Sequence, residues 1–118
     1  MSGGSVNDAD IDLLVMLANP VSKPDRAAHA LRLLGVALAM GDVAARYLVA
    51  GGVTLLGPDV PQELRDTMDM LRELELAVYA CPTALADHAL TPDRDSFQVL
   101  GAAAAVELDH HARLVMSL

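Results

Sequence analysis

Cys81 is the residue with the most chemistry to offer, and its neighbours suggest what kind. It follows the apolar run Leu76-Ala77-Val78-Tyr79-Ala80 and precedes Pro82-Thr83. That order reads as a strand giving way to a short helix over residues 84–89. Proline suits the first position of a helix, because its missing N–H would have no intrahelical acceptor there. The Cys81 side chain then lies beside a helix N-terminus, whose partial positive charge favours a thiolate. A thiolate is the nucleophile of sulfur transfer and thiol exchange. The alternative is also physical: free cysteine often serves as a small buried hydrophobe. The chain has a single cysteine, so it has no internal disulfide and no CxxC motif. That usage fits a reducing cytoplasm.

The remaining candidates are weaker. His88 lies seven residues beyond Cys81, roughly 10 Å along a helix axis, which is too far for it to act as the cysteine's base; a solvated helix end accounts for it. Glu107 is spaced to meet His110 or His111 on one helix face. Adjacent histidines diverge by about 100° around a helix, and two ligands leave a zinc site unfinished. Cations at a helix C-terminus explain the histidines better. His29 is placed for a surface pair with Asp25. Gly51-Gly52 follows a strand, but GxGxxG and GxxxxGK[ST] are missing and Lys23 is the only lysine. A tight turn is the better reading, with both glycines at the periphery of a site. The methionines fall in or beside apolar segments and read as core filling.

The elements that position these residues alternate short apolar runs with amphipathic stretches, which predicts an α/β fold. Strands are expected over residues 12–18, 45–50, 76–80, 97–100 and 113–118. The first is almost continuously apolar, as a strand covered on both faces should be. Ser22 is placed to cap a helix carrying Leu31, Leu34 and Leu38, which Gly41 should stop. Asp59 and Gln62 have capping-box spacing ahead of a helix with the stripe Leu64, Met68, Leu71 and Leu74. An alanine-rich helix is expected over residues 102–112. The short connections favour parallel βαβ units with right-handed crossovers. Leu14, Val15, Leu48, Val78 and Val99 should be buried.

Composition excludes several functional classes. The 118 residues carry eight Lys and Arg against sixteen Asp and Glu, a net charge of −8. Tyr47, Tyr79 and Phe97 are the only aromatics. Nucleic-acid binding needs a basic patch or stacking platforms, so no direct nucleic-acid partner is expected. The longest apolar run, residues 99–106, is far short of a membrane span, and no secretory signal is evident. Residues 1–9 read as a flexible leader before a single domain over 10–118. Apolar residues make up 53% of the chain, above the usual 45–50%. In so small a domain part of that excess should lie in a subunit interface.

Several stretches together resemble the DsrE/DsrF-like superfamily of small sulfur-relay proteins. They are residues 14–20 leading into Lys23-Pro24-Asp25-Arg26-Ala27-Ala28, then Ala37-Leu38-Ala39-Met40-Gly41, Tyr47-Leu48-Val49-Ala50-Gly51-Gly52-Val53, and Val78-Tyr79-Ala80-Cys81-Pro82. Gly101-Ala102-Ala103 also fits, and the likeness spans residues 11–118. The resemblance implies a three-layer α/β/α domain with a five-stranded parallel sheet in the order 4-3-2-1-5. It also implies trimers or hexamers, with donor and acceptor proteins as further partners and no cofactor. By position Cys81 matches the cysteine that holds a persulfide in the sulfur-carrying members. The backbone N–H groups of Thr83 and Ala84 would then stabilise the anionic sulfur. The alternative is a non-catalytic homo-oligomeric binding module of the same fold, with Cys81 as a structural residue.

Overall fold

A seven-residue strand with one charged side chain can be buried only under cover from both sides. Strand β1 (Ile11–Leu17) is covered in this way. The computed structural model describes residues 11–91 and 97–118; the expected leader lies outside them. In chain order β1 is followed by α1 (Pro24–Ala39), β2 (Ala44–Leu48), a 3-10 helix (Ala50–Leu56), α2 (Gln62–Glu73), β3 (Ala77–Ala80), α3 (Pro82–Asp87), β4 (Gln98–Val99), α4 (Ala102–His110) and β5 (Ala112–Ser117). The strands form one sheet in the order β4-β3-β2-β1-β5, and every pairing is parallel. This is the α/β architecture expected from the sequence, in the strand order that the resemblance implies. No helix among the described residues is long and apolar enough to cross a membrane.

Alternation along the strands divides the core between two faces. Leu13, Val15 and Leu17 of β1, with Ala44 and Leu48 of β2, join Ala27, Ala30, Leu31 and Leu34 of α1, Leu64 and Leu71 of α2, and Leu85 of α3. Leu14, Ala45 and Tyr47 face the other way, where Ala105 and Leu108 of α4 pack on them. Leu14, Val15, Leu48 and Val78 are buried, as expected. Val99 is only half-buried, because β4 is a two-residue edge strand with one neighbour.

The helix starts and one helix stripe depart from expectation. The N-cap of α1 is Lys23, with no side-chain cap; Ser22 sits one residue too early, because Pro24 fixes the first helical position. The N-cap of α2 is Pro61, which displaces the Asp59–Gln62 box, and Gln62 instead donates from Nε2 to Asp66 Oδ1 at 2.7 Å. Leu74 is the C-cap of α2 and is exposed, since the helix ends before that residue can turn toward the core. Gly41 follows α1 with φ +86°, a conformation that favours glycine. The expected His29–Asp25 pair does not form among the described residues. Both side chains are exposed, where such a pair gains little.

Gly52 is required where the 3-10 helix crosses the end of β1. A Cβ at this position would collide with the Leu17 carbonyl. Only a backbone without a side chain allows that approach, so the glycine pair serves packing, as a tight turn would. Gly52→Ala should lower stability by about 1–3 kcal/mol, the usual cost of overpacking. Chemical denaturation measures it, and an unchanged midpoint would contradict this role.

Arg46 breaks the apolar pattern. It pairs in register with Val15 on one side and Val78 on the other, in the middle of the sheet. Its side chain is buried, and Nε and Nη1 have no hydrogen-bond partner among the described residues. Burial pulls its pKa down to about 10, so the group stays charged at neutral pH. A depressed basic pKa means the unfolded chain holds its proton more tightly than the native one. The penalty is therefore fully present below pH 10 and shrinks above it. Arg46→Met should raise stability by about 1–3 kcal/mol, the cost of an unsatisfied buried group. The gain should be constant between mildly acidic and mildly alkaline pH in denaturant titrations. A loss of stability would mean that Arg46 is paired in the native protein.

Candidate functional site

Parallel pairing brings the C-terminal ends of β2, β3 and β4 to one edge of the sheet. Cys81 lies on that edge, directly after β3. It is the N-cap of α3, with extended backbone at φ −75° and ψ 124°, and Pro82 is the first helical residue, as expected. Its N–H donates to the Leu48 carbonyl at 3.0 Å, prolonging the β2–β3 ladder by one rung. Its carbonyl accepts from the Leu85 N–H at 3.1 Å, closing the first turn of α3. The residue is thus held on both sides by backbone bonds. Its side chain is half-buried and free of any disulfide, and it packs against both core clusters.

Tyr47 is the neighbour that sequence reasoning missed. It pairs in register with Tyr79, so both point to the α4 face, and Cys81 lies two residues beyond Tyr79. The Tyr47 side chain is buried, and its hydroxyl donates to the Leu100 carbonyl at 3.1 Å. The Leu100 N–H in turn donates to the Ala80 carbonyl at 3.0 Å. The phenol therefore spans from β2 across the end of β3 to the end of β4. Cys81 packs against the same cluster as this ring. Burial, then the Cys81 charge and the hydrogen bond to it, push the phenol pKa up, so Tyr47 keeps its proton at neutral pH. The available signal was the rarity of aromatics; what turns it into a contact is the register of β2 on β3.

The other sequence candidates are spread around this point. Thr83 and Ala84 are the second and third residues of α3, among the N–H groups a helix leaves without intrahelical acceptors. Gly51 and Gly52 lie just past β2, at the same edge of the sheet as Cys81. His88 is the exposed C-cap of α3, a full helix away from Cys81. Glu107 and His111 line a separate groove of about 490 Å³ between α4 and the sheet, with Ala45, Ala77 and Tyr79 on its floor. His110 is exposed at the end of α4.

No protein-family model and no curated protein matches the sequence. The fold does match a solved structure. The crystal structure of the ychN protein from E. coli superposes with a TM-score of 0.68 over 92% of this chain and 100% of that one, at 15% sequence identity. The fold is DsrE/DsrF-like. This agrees with the sequence resemblance through an independent route, backbone geometry. In this fold the cysteine directly follows the third strand of the sheet and packs against the cluster that holds the buried Tyr47 of the second strand.

Proposed function

We propose that the protein is an intracellular sulfur carrier of the DsrE-like kind, with Cys81 as the residue that holds the sulfur. The observation that carries this reading is a half-buried free thiol at the C-terminal edge of a parallel sheet, fixed by two backbone hydrogen bonds. In loading, the Cys81 thiolate attacks the outer sulfur of a donor persulfide. The new S–S bond forms on Cys81, the donor's S–S bond breaks, and the donor thiolate leaves with the electron pair. In delivery, an acceptor thiolate attacks the outer sulfur on Cys81, and Cys81 leaves as the thiolate. Sulfur moves without net oxidation, so no cofactor is needed. The N–H groups of Thr83 and Ala84 stabilise the anionic sulfur, and Gly51 and Gly52 form the periphery, while His88 at the far end of α3 stands away from it. The donor and acceptor are proteins presenting thiols in a reducing compartment, the cytoplasm.

A second reading has one observation in its favour. Cys81 packs against both core clusters, as a space-filling residue in a non-catalytic homo-oligomeric binding module would. Incubation with polysulfide followed by intact-mass measurement separates the two. The carrier gains the mass of one sulfur, a thiol reductant removes it, and Cys81→Ser gains none while keeping its melting temperature, because serine caps the same helix. A wild-type protein that takes up no sulfur leaves the binding module.

Both readings include self-association as a trimer or a hexamer. It is supported by an apolar surface at the end of the sheet opposite Cys81. Val36 and Met40 in the last turn of α1, Val43 ahead of β2, and Met70 and Leu74 at the end of α2 are each more than half exposed. Light scattering at micromolar concentration should give a trimer or hexamer mass, and Met40→Lys with Leu74→Lys should reduce it. A monomer in the wild type would refute the assembly.

A further inference from the structure

We propose that the groove beside α4 is a self-association surface: the α4 helix of a second copy lies in it, antiparallel to the first across a two-fold axis near Ala104. The inference goes beyond the carrier reading and stands whether or not Cys81 holds sulfur.

A parallel sheet needs cover on both faces. One face of this sheet carries three helices, α1, α2 and α3. On the other, among the described residues, α4 is the helix packed on the core, through Ala105 and Leu108. It packs with Leu14 and Ala45 but leaves Ala77 and Tyr79 of β3 only half-buried and Gln98 of β4 exposed. The groove of about 490 Å³ is that uncovered strip, with Ala45 and Ala77 on its floor and α4 as one wall.

The occupant follows from α4 itself. Its residues 102–106 are apolar on every side, yet none of its nine residues is buried, and Val106 is 57% exposed. A helix that is apolar all round belongs inside a protein. The wall that α4 turns to the groove is Ala104, Glu107, Leu108 and His111, the spacing of one helix face. A contact about a two-fold axis must be self-complementary: what a residue meets in the second copy, its counterpart meets in return. With Ala104 at the axis, Leu108 of each copy comes level with Leu100 of the other. Both line the groove and both are half-buried, so apolar surface meets apolar surface. The small Ala104 side chain lets the two helix axes approach to about 8 Å, the near end of the usual range.

Charge sets the orientation. The first turn of α4 holds no acidic residue, and its N-cap, Gly101, has no side chain to accept from the free N–H groups. That end of the helix carries a partial positive charge. Glu107 is exposed on the groove wall. In the antiparallel pairing each Glu107 reaches the first turn of the other α4, so an acidic chain meets its copy with opposite charges facing. A parallel pairing would set Glu107 against Glu107. A two-fold contact doubles whatever the other surfaces build, so it fits a hexamer and not a trimer.

The test is the mass of the full chain by light scattering, with Ala104→Arg and Glu107→Lys. Ala104 is exposed, so arginine there leaves the single chain intact. Wild type should hold an even number of copies, and Ala104→Arg should halve its mass. Glu107→Lys reverses two equivalent contacts and should weaken the pairing about tenfold. Cross-linking tests the geometry without weakening the contact. In a Cys81→Ser background, Ala104→Cys should give a covalent dimer on oxidation, because helices this close bring two such residues within disulfide reach. Asp66→Cys, on α2 and the other face of the sheet, should not. A mass unchanged by Ala104→Arg, or cysteines at 66 and 104 that cross-link alike, would overturn the inference. So would a wild-type trimer, which leaves the self-association proposed above in place. A wild-type monomer removes both and frees the groove for a small apolar ligand. A plain dimer split by Ala104→Arg upholds the α4 contact and removes the trimer and hexamer.

Discussion

The parallel pairing of β2 with β3 is the interaction on which the site depends. Leu48 stands opposite Ala80, and one further rung joins the Cys81 N–H to the Leu48 carbonyl. That register fixes two things together. It stops β3 where Pro82 can start a helix, and it carries Tyr47 to the same face as Tyr79, from which its ring reaches the end of the strand. Side chains alternate along a strand, so a slip of one residue would turn Tyr47 toward α1 and bring Arg46 to the thiol instead. The neighbouring strands hold the register: β1 pairs along the whole of β2, and Leu100 hydrogen-bonds to Ala80 from the other side.

The sheet holds this arrangement despite local costs. Arg46 places a charge among Val15, Val78 and Leu48, with no partner among the described residues for two of its nitrogens. Ala50, the first residue after Val49 at the end of β2, has φ +47°, a left-handed conformation that costs an alanine about 1–2 kcal/mol. Gly52 accepts a backbone approach that no other residue would allow. Arg46 and these two turn residues all lie on or directly after β2, the strand that delivers Tyr47. Leu14, Leu17, Leu31, Leu34, Leu48 and Leu71 are almost entirely sequestered. At about 1.5–3 kcal/mol each, their burial is large enough to hold such a segment in place.

The sequence made the fold legible because the strands are short, apolar and separated by helical spacing. The apolar run expected as a strand over 12–18 forms one over 11–17, Pro82 opens the helix after Cys81, and Gly41 follows the helix that it was expected to stop. Helix starts were harder to read. Ser22 and Asp59 have the right chemistry for caps, but prolines nearby fix the first turn and shift it by one or two residues. Leu74 matched a helical period that ended one residue too soon. At the site, Cys81 could be identified from its own neighbours in the chain. The placing of Tyr47 could not, because it joins the cluster against which Cys81 packs only through strand order and register, and nothing local to residues 45–50 records either.

The central claim is that Cys81 holds sulfur at the C-terminal edge of a DsrE/DsrF-like sheet. The most direct measurement is a crystal structure of the protein after exposure to polysulfide, with sulfur located by its anomalous scattering. The account predicts one additional sulfur bonded to Cys81 Sγ. An unmodified Cys81 sealed beneath its neighbours would contradict it.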